Sequence, residues 1–144
     1  MPPARKRVPA VEGWFTLDEA APALLGTRCK ACGTYHFPKE HFFCRNPSCA
    51  GSELDEVPLS NRGRLWSFTD NRYAPPPPYP ALDPFEPYGV AAVELGVERM
   101  IVLGQCARGT DMGTLRAGQE MELTVEDYFE ADGEVRRVWK WRAV

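Results

Sequence analysis

No run of eighteen apolar residues occurs in this 144-residue chain, so the sequence offers no candidate transmembrane helix. Its opening stretch, Met1 to Val11, is proline-rich and basic and lacks the apolar centre of a secretory signal. Both absences point to the cytoplasm. Histidine is scarce: only His36 and His41 are present, so schemes that need an imidazole base have little to draw on. Positive charge is not in excess, with 17 Lys and Arg against 20 Asp and Glu and a formal net charge of −3. That balance disfavours nucleic acid as a partner, and Arg5-Lys6-Arg7 is too short to act as a basic patch. Internal repeats are missing as well. The 44% hydrophobic and 11% aromatic content excludes a disordered chain. The length fits one ordinary domain, or one carrying a small appendage.

What is present begins with cysteine. Cys29, Cys32, Cys44 and Cys49 follow a C-x2-C-x11-C-x4-C spacing, with Gly33 directly after the first pair. Two residues between thiolates let one turn aim both sulfurs at a single ion, and four thiolates complete a tetrahedral structural site with no open position. A glycine after the second cysteine permits the positive φ such a knuckle often needs. In the wider pair, Asn46-Pro47-Ser48 supplies turn residues. Disulfides compete for these cysteines, but paired cysteines in a cytoplasmic chain favour metal. Structural Zn2+ is expected; a rubredoxin-type iron site uses the same four thiolates and shares the spacing. Zinc with four thiolates would lower the net charge by two, to about −5. His36 and His41 fall inside this segment and read as loop residues, and Cys106 reads as a small buried hydrophobe.

Along the chain, residues 1–13 read as a flexible arm. Residues 14–26 read as a short N-terminal helix: Thr16-Leu-Asp-Glu19 is a capping-box pattern, Phe15 a possible staple and Gly26 a stop. That helix would bury Leu17, Ala21, Leu24 and Leu25. Residues 27–56 form a zinc ribbon whose small core is expected from Tyr35, Phe37, Phe42 and Phe43. From residue 57 to 144 the texture is β. Strands are expected over Gly63–Asp70, Tyr88–Leu95, Arg99–Gln105, Met121–Phe129 and Arg136–Trp141, with tight turns at Gly96–Glu98 and Ala131–Gly133. In the first, alternation places Leu65 with Ser67 and Trp66 with Phe68. Five strands, a glycine-bearing connection at Leu115–Gly118 and a closing hairpin fit a small Greek-key barrel of the OB-fold type. The predicted class is mainly β: short helix, rubredoxin-like zinc ribbon, five-stranded OB-fold barrel. Half of the fourteen prolines lie between Pro75 and Pro87. They stiffen the loop 72–87 toward polyproline II and make Tyr79 and Phe85 candidate partner-docking residues, unless the loop folds back over its own barrel.

A ribbon opening Arg28-Cys-Lys-Ala-Cys-Gly33 with Phe37-Pro38 after it, followed by an OB-like barrel, resembles the zinc-ribbon/OB-fold acyl-CoA-associated family. Gly63-Arg-Leu-Trp-Ser-Phe-Thr69, Pro87-Tyr88-Gly-Val-Ala-Ala-Val-Glu94 and Leu115-Arg-Ala-Gly118 add to the likeness, which spans residues 13–144. The wording is most similar to the accessory domain of steroid side-chain-cleaving aldolases. The resemblance implies a partner subunit in a hetero-oligomer with a thiolase-like catalytic subunit of the lipid-transfer-protein type. A MaoC-type hydratase is a further implied partner, and a coenzyme A thioester the shared ligand. The x4 spacing of the second pair and the Pro75–Pro78 run depart from the family pattern.

The residues themselves yield no catalytic constellation. Asp70, Glu94, Glu126 and Asp127 read as strand-edge carboxylates, so the nucleophile or base is expected on a partner. Arg62, Arg64 and Arg72, with Trp66 and Tyr73, are candidate coenzyme-A-facing groups, because guanidinium forks match phosphate and aromatic rings stack on adenine. Two rival readings are carried. A single-stranded nucleic-acid module is opposed by the seven carboxylates between Glu120 and Glu134. A stand-alone acyl-CoA-binding or hydrolytic protein is opposed by the missing catalytic groups.

Overall fold

A computed structural model describes residues 6–18, 20–72 and 87–144 of the chain. The described residues form nine strands in two sheets and no α-helix. None of the described helical segments is long and apolar enough to cross a membrane. A three-stranded sheet, order β3-β2-β4, is built from β2 (Leu25–Cys29), β3 (Tyr35–His36) and β4 (Leu54–Pro58). The larger sheet contains β1 (Arg7–Pro9), β5 (Arg62–Asn71), β6 (Tyr88–Leu95), β7 (Met100–Cys106), β8 (Glu120–Ala131) and β9 (Glu134–Ala143). Antiparallel ladders join β5 to β6, β6 to β7, β5 to β8 and β8 to β9. Parallel β7–β9 pairing closes the ring through only Gln105–Lys140 and Cys106–Trp141. Five strands thus make the expected barrel, and closure removes the exposed edges an open sheet would carry.

The expected N-terminal helix is absent, for local reasons. The Asp18 carboxylate accepts from the Ala20 and Ala21 N–H groups at 3.0 and 3.4 Å, tying off a tight turn. Pro22 has no N–H to give a helix and disfavours the helical region for Ala21. The segment doubles back: Thr16 N–H donates to the Ala23 carbonyl at 2.9 Å, the Thr16 hydroxyl accepts from Ala23 N–H, and Phe15 bridges Leu24. Phe15 and Leu24 are buried in the core, whereas Ala21 is exposed. In the arm expected over 1–13, Arg7–Pro9 is extended and pairs in parallel with Val135–Arg137 of β9.

A bulge between Leu65 and Ser67 changes the alternation expected for β5. Leu65 and Phe68, not Leu65 and Ser67, oppose the buried Val93 and Ala91, because the extra residue reverses the side-chain parity beyond it. Trp66 is left on the surface, 62% exposed. The remaining strands and turns follow the pattern, and a 3-10 turn over Met112–Thr114 lies between β7 and β8.

The β7–β9 seam is where the ribbon meets the barrel. As the ladder stops, the Trp139 indole N–H donates to the Leu103 carbonyl at 3.3 Å. Gly104 leaves the room, since a Cβ there would lie 2.9 Å from Trp139 Nε1 and 2.9 Å from Trp141 Cδ1. Trp139 also packs against Trp14 (6.1 Å between ring centres), Phe15 (5.6 Å) and Phe37 of the ribbon (5.9 Å). One tryptophan therefore binds the N-terminal segment, the ribbon and the seam together. The buried Glu98 secures the covalent link between the two sheets, its carboxylate accepting from Ser60 N–H at 3.1 Å and Ser60 Oγ at 2.5 Å.

Candidate metal centre

The first cysteine pair sits where β2 ends and turns toward β3: Gly33 N–H donates to the Cys29 carbonyl at 2.9 Å, and Gly33 takes the expected positive φ, +77°. The second pair is assembled differently. Cys49 N–H donates to the Asn46 carbonyl and Cys44 N–H to the Gly51 carbonyl, each at 2.9 Å, so a closed loop absorbs the two extra residues. The Asn46 side chain accepts from Ser48 N–H at 3.0 Å inside that loop.

All four sulfurs lie within 4.8 Å of one another. Cys29 Sγ to Cys49 Sγ is 3.8 Å and Cys32 Sγ to Cys44 Sγ is 3.6 Å. A tetrahedron with Zn–S bonds of about 2.3 Å has sulfur–sulfur edges of about 3.8 Å. The donor set and its dimensions therefore fit a structural zinc. Backbone N–H groups of Asn46 and Gly51 point at the Cys44 and Cys49 sulfurs (3.4 and 3.3 Å), the arrangement that stabilises thiolate charge. The Thr34 hydroxyl, 3.1 Å from Cys32 Sγ, is the chief cause that brings the Cys32 thiol down to about 6. At Cys44 the Asn46 N–H favours the thiolate, but burial and the neighbouring Cys32 sulfur prevail and push the thiol up to about 11. Burial and the neighbouring sulfurs oppose charge at Cys44, and a dication bound by the cluster would relieve that opposition. Neither histidine joins the cluster: His36 belongs to β3, not to a loop, and is buried, while His41 is exposed.

The ribbon core is smaller than expected. Tyr35 and Phe37 pack against the main core, but Phe42 and Phe43 stand out at 72% and 68% exposure. Cys106 is buried as expected, and burial raises its thiol above the ordinary value.

Of the candidate coenzyme-A-facing groups, Arg62, Arg64 and Trp66 share the start of β5, all exposed. Arg62 is held by Glu120 and Glu122 at 3.1 and 3.3 Å, whereas Arg64 donates to the Gly118 carbonyl at 3.4 Å. Arg72 lies beyond the far end of the strand, eight residues on from Arg64, and pairs with Asp70 at 2.8 Å. Tyr73, Tyr79 and Phe85 lie outside the described residues. Three carboxylates of the last hairpin are engaged by cations: Glu126 by Lys140, Asp127 by Arg137 and by Arg7 of β1, and Glu122 by Arg142. Sequence reasoning missed Glu98 and the Trp139 junction, because the sequence does not tell which turn or seam a residue will face.

Two family models match in tandem: the ChsH2 rubredoxin-like zinc ribbon domain over residues 19–55 and the ChsH2 C-terminal OB-fold domain over residues 56–126. The chain belongs to the ChsH2 family. A benzoylsuccinyl-CoA thiolase subunit BbsA from Thauera aromatica is 38% identical over 108 residues, 75% of this chain and 67% of that protein. The BbsA of Geobacter metallireducens is 36% identical over 108 residues, 75% of this chain and 65% of the relative. A DUF35 domain-containing scaffold protein of Methanocaldococcus jannaschii is 33% identical over 86 residues, 59% of this chain and 55% of that one. The ChsH2-family chain thus spans about two thirds or less of the length of these relatives. Among solved structures, one described as Ltp2-ChsH2(DUF35) aldolase superimposes with a TM-score of 0.60 at 27% identity, covering 84% of each chain.

Proposed function

We propose that this chain is a non-catalytic partner subunit of a thiolase-fold enzyme that makes or breaks C–C bonds in acyl-CoA thioesters. The observation that carries the reading is the tandem match of ribbon and barrel to one family whose similar members are named as thiolase subunits, a scaffold and part of an aldolase. The chemistry of the chain agrees. Its four clustered thiolates saturate a tetrahedral ion, leaving no position for a substrate or water. Zinc held by Cys29, Cys32, Cys44 and Cys49 would supply folding energy and fix the ribbon against the barrel. The strand-edge carboxylates Glu126, Asp127 and Asp70 are each engaged in an ion pair.

Within that role we propose C–C cleavage of an acyl-CoA thioester of the retro-aldol type as the reaction of the complex, on the likeness to the aldolase structure; a steroid side chain as the acyl group rests on the sequence resemblance alone. Of Arg62, Arg64 and Arg72, Arg64 is the one that forms no ion pair with a carboxylate among the described residues, which leaves it the best placed of the three to meet a coenzyme A phosphate, and exposed Trp66 is two residues away on the same strand. The test combines the purified chain with its thiolase-fold partner. The chain alone should turn over no acyl-CoA, and addition should raise the partner's activity or keep it soluble. Arg64→Glu should raise KM for acyl-CoA and leave kcat nearly unchanged, the pattern of lost uniform binding. Robust thioester cleavage by the isolated, homogeneous chain would refute the partner role.

A further inference from the structure

Two phenylalanines stand where the fold makes no use of them. Phe42 and Phe43 are 72% and 68% exposed, belong neither to the core nor to the residues packed against it, and lie 6.4 Å apart, ring centre to ring centre. Adjacent side chains in an extended segment point apart, yet here both project from the same loop directly before the metal ligand Cys44.

That loop is held on every side. Glu40 N–H donates to Thr27 Oγ1 at 3.0 Å, pinning its start to β2. The Glu40 carboxylate takes His41 N–H at 3.1 Å and Arg45 Nε at 2.7 Å, bracing the loop across its neck. Cys44 N–H to the Gly51 carbonyl, at 2.9 Å, fixes the end, and the ion bound by Cys44 would lock it further. Two large apolar rings on a preorganised loop lose little conformational freedom on association, the economy that makes aromatic anchors strong. At about 200 Å² per ring, with 72% and 68% of each still exposed, burying both would remove about 280 Å² from water, roughly a third of the 800 Å² each partner contributes to a standard interface.

The barrel offers a weaker alternative. Trp66, Ile101 and Leu103 are exposed on β5 and β7, but the ladder places Glu94 opposite Ile101 and Arg64 opposite Glu94, so charge interrupts the apolar surface. Apolar residues scattered among charges on a strand face are ordinary. A bare pair at the tip of a metal-braced loop is not.

We infer that the Phe42–Phe43 pair is the anchor by which the ribbon docks, inserting into an apolar cleft on the thiolase-fold catalytic subunit. The inference rests on the partner role proposed above. It also gives the metal a second consequence: the ion shapes the docking loop, so removing it should release the partner before the barrel unfolds.

The test uses the full zinc-loaded chain and its thiolase-fold partner, identified by mass spectrometry of what co-purifies with the tagged wild type and then produced separately. Affinity is measured by calorimetry for the wild type, for F42S/F43S and for I101S/L103S, with zinc content and far-ultraviolet circular dichroism checked for each. The expected result is a loss of about 30-fold or more in F42S/F43S, the factor one hot-spot side chain commands. Zinc content and spectrum should stay unchanged, and I101S/L103S should bind within about threefold of wild type. If F42S/F43S keeps wild-type affinity while the wild type binds, the anchor is refuted and the partner role stands. If the wild type binds no thiolase-fold protein, the partner role fails and the anchor fails with it. Should F42S/F43S lose zinc, the single variants F42S and F43S decide: a zinc-loaded single variant with undiminished affinity in both cases overturns the inference.

Discussion

Replacing Trp139 by alanine should do more damage than any other single truncation on the molecule's surface side. Its ring touches Trp14, Phe15 and Phe37, and its N–H supplies the hydrogen bond that the β7–β9 ladder omits at Leu103. Truncating a core tryptophan costs about 3–5 kcal/mol; Trp139 is only partly buried, so about 3 kcal/mol is expected. Of that, about 1 kcal/mol belongs to the indole hydrogen bond and the rest to packing. In a chain of this size, where 1 kcal/mol moves Tm by about 2–4 °C, Trp139→Ala should melt roughly 6–12 °C lower. Trp139→Phe keeps much of the packing and should lose about half as much. Trp66→Ala, whose ring is 62% exposed, serves as the control and should cost less than about 1 kcal/mol. Thermal unfolding of the zinc-loaded protein, followed by near-ultraviolet circular dichroism, reads all three. Because Phe37 lies in the ribbon, transfer of zinc to a chelator should also quicken in Trp139→Ala. A Trp139→Ala melt within about 2 °C of wild type, or no lower than that of Trp66→Ala, would refute the account of the junction.

The metal, the linker and the spare thiol give three further expectations. Purified chain should carry about one zinc, measured by plasma mass spectrometry, and Cys29→Ser or Cys44→Ser should lose it and unfold the ribbon; an intact ribbon without metal would contradict this. Glu98→Ala strips Ser60 of two hydrogen bonds to a carboxylate and should cost about 2 kcal/mol in a denaturant titration, with an unchanged midpoint as the failing result. Cys106, buried and with its thiol raised by that burial, should resist iodoacetamide at neutral pH in the zinc-loaded protein, while all five cysteines react after unfolding with chelator. Rapid native alkylation mapped to Cys106 would overturn its placement.

Features fixed by local chemistry were legible in the chain itself. The four-cysteine spacing specified its metal cluster because ligand geometry acts over a few bonds, and Gly33 adopted the φ that the knuckle required. Alternating apolar residues marked five barrel strands, and Asp132-Gly133 marked the last hairpin, where both take positive φ. The helix expected at residues 14–26 failed because a capping-box pattern describes only how a helix can start. Asp18 closed a turn in its place and Pro22 denied the helix a donor, while burial of Phe15 and Leu24 favoured the doubled-back path. The β5 bulge was likewise invisible, since pairing with β6 and β8, not the strand's own sequence, selects where an extra residue is accommodated. Which aromatics are covered was decided only by tertiary structure. Phe37 and Phe42 are chemically identical and five residues apart, yet Phe37 meets Trp139 across the seam and Phe42 meets water. Burial depends on what the rest of the chain brings to a position, and that information is spread over residues more than a hundred positions away.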